Sequence, residues 1–139
     1  MERKFLKKIT LLWIALSFLA VINGTARIFI YQPIVGDLLA HQISTLIFIA
    51  VIFAVVFLLL KREEKLPDKK DLLSAGAYWL CWTVTFEFIF GHFVFGNSWE
   101  KLFADYNIFA GRIWVLVLLT TFAAPYLIGK HLERNKNQS

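Results

Sequence analysis

The chain has 139 residues, of which 58% are apolar and only 18% charged, with a formal net charge of +5. Mean hydropathy is +0.62, too apolar for a soluble domain of this size and the opposite of a disordered chain. A single cysteine, Cys81, excludes a disulfide framework and any multi-cysteine metal site, and the basic residues lack aromatic interleaving, so no nucleic-acid partner is expected.

A bilayer-spanning helix needs about 20 mostly apolar residues. The first such stretch covers residues 9–30, behind a basic head of Arg3, Lys4, Lys7 and Lys8. Head and apolar run also have the form of a signal peptide, with Gly24 and Ala26 as the small residues before a cleavage point. The apolar run resumes after that interruption and a paired bundle needs its first helix, so a retained span is expected and cleavage after Ala26 is the alternative. The second stretch, 38–60, is followed by a charged run over 61–71 containing Pro67, which reads as a solvated loop. The third covers 72–95. Asn97-Ser98-Trp99-Glu100 then predicts a capping box, with Asn97 as the cap and Glu100 at the third helical position. Trp99, Leu102, Phe103 and Tyr106 follow in an amphipathic stripe, so a short interfacial helix over 98–106 is expected, as an anchor or as a lid. A fourth span is expected over 108–128, and the polar tail 135–139 should be frayed.

Twelve of the 15 basic residues fall in the head, the middle loop and the tail. With four spans these segments share one side, so the positive-inside rule places both termini in the cytoplasm. The expected fold is therefore an all-α integral membrane protein, a single four-helix bundle over residues 1–139, multi-pass in the bilayer.

The depth of the polar residues is the functional signal. At about 1.5 Å per residue, Asn23, Arg27, His41, Ser44, Thr45, Glu87, His92 and Arg112 all lie about 21–30 Å above the cytoplasmic end. That is the outer third of a hydrocarbon core about 30 Å thick. The inner half has only mild groups, such as Thr10, Ser17, Tyr78, Thr83 and Thr121. Asn23 with Arg27, and His41 with Thr45, share helix faces at i, i+4. Gly91 sits on the face of Glu87 and allows a neighbour to approach closely. A carboxylate at this depth needs a partner, and Arg27 or Arg112 is the expected one. The predicted pocket opens outward, lined by Arg27, His41, Glu87 and Arg112, with the 98–106 helix at its rim. The full candidate set for ligand binding is Asn23, Arg27, His41, Gln42, Thr45, Glu87, His92, Glu100, Asp105, Asn107 and Arg112.

Glu87 and His92 are the candidate acid–base groups should the site be catalytic, which the residues leave open. No metal is expected, because no ligand pair has compact spacing. A haem held by His41 and His92 would need small residues around it, and these helices are rich in Phe, so no cofactor is expected.

The segments 23–27, 40–45, 86–92, 98–100 and 105–107, with Gly111-Arg112-Ile113-Trp114, resemble those of small four-span bacterial inner-membrane proteins of no known activity. The resemblance implies location in a bacterial inner membrane and no particular chemistry. Small multidrug exporters place an essential Glu in the first span, where this chain has Asn23 and Arg27. Fluoride channels have a Gly- and Thr/Ser-rich third span, whereas this one is aromatic. The expected function is binding of a lipid-like or small anionic ligand in a one-sided pocket. A small transporter or channel, or an accessory subunit working as a homo-oligomer or within a membrane complex, is the alternative.

Overall fold

The structure, a computed structural model, describes residues 1–139. It is all-helical. Four helices are long and apolar enough to cross a membrane: α1 (Arg3–Val35), α2 (Asp37–Lys61), α3 (Lys69–Val94) and α5 (Val115–Gln138). The short α4 (Trp99–Ala104) and a 3-10 turn (Ile108–Ala110) fill the connection between α3 and α5.

Local chemistry sets the boundaries. Gly36, at φ +85°, breaks the chain between α1 and α2 in a conformation that side chains with a Cβ avoid. Asp68 caps α3, its Oδ1 accepting from the Asp71 N–H at 2.8 Å. Ser98, not Asn97, caps α4: its hydroxyl accepts from the Lys101 N–H at 3.2 Å. Asn97 instead accepts from Lys101 Nζ at 3.0 Å. Gly111, at φ +80°, closes the 3-10 turn and holds Arg112 outside any helix, so the fourth long helix begins at Val115 rather than residue 108. The tail is helical through Gln138 instead of frayed. Lys136 in its last turn complements the negative end of the helix dipole.

The helices are not arranged in chain order. α5 lies between α2 and α3 and packs closely on both, while α2 and α3 scarcely touch. α1 is the loosest member, leaning across α2 and α3. Around the bundle the order is therefore α1, α2, α5, α3. The end that carries the chain termini is solid. Ile9, Ile52, Val56, Leu60, Leu72, Ala75 and Trp79 are buried together, and Trp79 Nε1 donates to the Ile9 carbonyl at 2.8 Å. The N-terminal amine to Asp71 (3.3 Å) and Lys8 to Glu63 (2.6 Å) tie the head to the middle loop at this end. The outward faces carry large exposed apolar side chains such as Phe18, Phe29, Leu46, Leu58, Phe93 and Leu119, a surface suited to lipid rather than water.

Two of the long helices are interrupted near the α4 end. α1 passes through a π-helical turn at Arg27–Tyr31, and α3 ends in one at Phe90–Val94. Such turns insert an extra residue and are frequent at functional sites.

Candidate functional site

A cavity of about 490 Å³ occupies the half of the bundle nearer α4, within the range of ligand sites. All four long helices and α4 contribute to its wall. Its floor is Trp13, Ile52 and Thr121. Beneath it Ile9, Val56 and Trp79 are each 1% exposed, so the cavity ends there.

The cavity's walls follow from how α1 is attached. On one side, Asn23 Nδ2 donates to the Ser44 carbonyl at 3.0 Å and Arg27 Nη1 donates to His41 Nδ1 at 3.3 Å, closing α1 onto α2. On the other, α1 touches α3 only lower down. The Trp13 indole donates to Thr83 Oγ1 at 3.0 Å and its ring meets the edge of Phe86. Above that contact no side-chain hydrogen bond joins the two helices, and a gap remains. Val21 and Ile28 of α1, Phe90 of α3 and Phe95 just beyond it line the cavity there and are also 41%, 50%, 41% and 62% exposed. The cavity thus has an apolar opening in the side of the bundle.

Of the residues singled out from the sequence, Asn23, Arg27, His41, Glu87 and Asp105 line this space. The others serve elsewhere. Thr45 and Ser44 both donate to the His41 carbonyl, at 2.7 and 3.1 Å; of the two only Ser44 reaches the cavity wall. Gln42 Nε2 donates to the Gly111 carbonyl at 3.1 Å, fastening α2 to the loop before α5. His92 donates from Nδ1 to the Asn97 carbonyl at 2.8 Å and stacks on Trp99 with centroids 3.9 Å apart, so it clasps the α3–α4 turn and does not line the cavity. The Asn107 carbonyl accepts from the Ala110 and Arg112 N–H groups, and Glu100 is exposed.

The expected Glu87–arginine pair is not formed. Glu87 accepts from Trp114 Nε1 at 2.8 Å through Oε1 and from the Tyr106 hydroxyl through Oε2. Arg112 pairs with Asp37 at the start of α2 and does not line the cavity, and Arg27 turns to His41. The cause is local. Arg112 lies on the irregular segment before α5, where helical phase does not apply, and Trp114 at the mouth of α5 takes the place facing α3. The aromatic stripe of α4 also has an unexpected partner: Tyr106 lies parallel to Phe88 of α3, 5.7 Å between centroids, and Phe103 and Trp99 pack on the same ring.

Burial first, then the neighbouring Glu87 carboxylate, pushes the Tyr106 phenol far above its usual range. The neutral donor is the form that the fold favours, so its stabilising contribution is complete below the ordinary phenol value and is lost only at extreme alkalinity. Absorbance titration of the wild type and Tyr106→Phe to pH about 11, one unit above the ordinary value, should therefore give equal phenolate signals. A deficit of one phenolate in the variant would show that Tyr106 titrates normally.

No three His, Cys, Asp or Glu side chains gather as a metal set. Comparison with protein families, with curated proteins and with solved structures finds no match for this chain.

Proposed function

We propose that this chain is a multi-pass protein of a bacterial inner membrane whose cavity takes a lipid-like ligand from the outer leaflet. The observation that carries this reading is the lateral opening between α1 and α3. A soluble ligand has no need of an entrance walled by Val21, Ile28, Phe90 and Phe95, whereas a membrane amphiphile reaches such a wall by diffusing in the bilayer. The orientation follows from the positive-inside rule: the head, middle loop and tail carry twelve of the 15 basic residues, so the solid end faces the cytoplasm and α4 the outside. The packed half beneath the cavity offers no polar route across the membrane, which supports a one-sided binding site over a transporter or channel.

Ala20, half-buried in the cavity wall, provides the test. Native mass spectrometry of protein purified in mild detergent should find one phospholipid per chain, and Ala20→Trp should reduce that occupancy about tenfold or more without changing the melting temperature. A wild type that purifies lipid-free, or an Ala20→Trp protein that keeps its lipid, refutes the reading. Reporter fusions at Asp71 and Ser139 should read cytoplasmic and one at Ser98 external; the reverse would move the cavity to the inner leaflet.

A further inference from the structure

Four charged side chains line the cavity, the part-buried Arg27, Glu87 and Asp105 and the exposed Lys101 at its edge, so its formal charge balances. None of them pairs with another. The chain does form ion pairs, but all three lie elsewhere, between the N-terminal amine and Asp71, Lys8 and Glu63, and Arg112 and Asp37. Inside the cavity Arg27 meets a histidine nitrogen, Lys101 the amide oxygen of Asn97, and Glu87 two uncharged donors. Asp105 has no cation within ion-pair distance. Part-buried opposite charges held apart around a cavity each lack a counter-charge, which an occupant carrying both signs would bring with it. A lone anion would answer the cations and leave two carboxylates uncompensated; a lone cation would do the reverse.

Hydrogen-bond chemistry orients the occupant. Arginine can only donate, so the Nδ1 of His41 accepts and the ring proton sits on Nε2. That Nε2 is buried and has no partner, although His41 is 1% exposed and lines the cavity. A buried donor beside a guanidinium wants an anionic oxygen. Around Glu87 and Asp105 the demand is for donors. A carboxylate has about four acceptor positions; Glu87 has filled two, and Asp105 accepts no hydrogen bond. The rings of Tyr106 and Trp114 next to Glu87 also favour a cation.

We infer that the cavity binds the headgroup of a zwitterionic phospholipid with a primary ammonium, its phosphate at Arg27 and His41 and its ammonium at Asp105 and Glu87. A quaternary ammonium has no N–H to give these carboxylates, and a glycerol headgroup has no positive charge. The acyl chain lies lower down, against Leu16, Phe48 and Ile52. This inference deepens the lipid-pocket reading and rests on it.

The full chain, stripped of lipid in detergent, is offered phosphatidylethanolamine, phosphatidylcholine and phosphatidylglycerol of identical acyl chains, and soluble glycerophosphoethanolamine, with native mass spectrometry as the readout. The ethanolamine lipid should be retained about tenfold better than either other lipid. Asp105→Asn should erase its advantage over the choline lipid at unchanged melting temperature, and Arg27→Gln should weaken all three. Equal retention of the three lipids overturns the headgroup assignment and leaves the lipid pocket standing. No retention of any lipid overturns both. Soluble headgroup binding as tightly as the lipid overturns the phospholipid as its source.

Discussion

Gly76→Ala should unsettle this bundle more than any other added methyl group. A Cβ at Gly76 would stand 2.0 Å from the Phe122 carbonyl oxygen and 2.9 Å from its carbon. Both atoms belong to the backbone of α5, so no side chain can step aside, and α3 and α5 must separate. Those two helices share the most extensive interface in the molecule. Overpacking of a core costs about 1–3 kcal/mol when side chains can adjust, and more where backbone must move, so a loss of about 3 kcal/mol or more is expected. Gly129→Ala is the matched control. There the nearest atom is Leu72 Cδ1 at 2.4 Å, the far end of a flexible side chain, and the cost should stay near about 1 kcal/mol. Thermal unfolding in detergent measures both. Equal melting temperatures for the two variants would show that the backbones of α3 and α5 do not meet at Gly76.

Glu87→Ala should be the most damaging change in the cavity wall. It removes the acceptor for both the Trp114 indole and the Tyr106 hydroxyl. Each stranded donor costs about 1–3 kcal/mol, so a destabilisation of about 3 kcal/mol is expected. Glu87→Gln should fall between it and the wild type, because its amide oxygen can accept from one donor while its NH2 opposes the other. Adding Tyr106→Phe to Glu87→Ala should recover part of the loss, since the phenol then no longer lacks an acceptor. A Glu87→Ala protein as stable as the wild type would mean that water replaces the carboxylate without penalty, and that Glu87 does not hold the segment between α4 and α5 against α3.

The long helices were legible because apolar runs of bilayer length leave little else for the chain to do, and the charged run with Pro67 separates the second from the third. The depth of Asn23, Arg27, His41 and Glu87 in the sequence also brought them to one cavity. Pairing was not legible. Depth along an axis says nothing of azimuth, and the choice between two arginines for Glu87 assumed that Arg112 was helical. Gly111 carried the signal against that assumption, being a residue fit for the left-handed turn that ends regular structure. Asp37 gives no signal as a partner because it precedes the apolar run by one residue, and Tyr106 gives none because its ring suits a membrane-facing stripe. In both cases a hydroxyl or carboxylate at or just beyond the end of an element finds a partner on another element. The order α1, α2, α5, α3 was equally hidden, since chain connectivity alone favours neighbours that follow one another.

That order has a consequence for synthesis. α2 and α3 emerge one after the other yet have almost no surface in common, and the helix that joins them is translated after both. Until α5 arrives, α2 and α3 are joined only through α1, and the wall of the cavity lacks Thr121. Ribosome-stalled chains ending before Val115 should accordingly be cut by protease as readily as an unfolded chain, and protection should appear in a single step once α5 is out. The last helix to be made is the wedge that turns three neighbours into one receptacle.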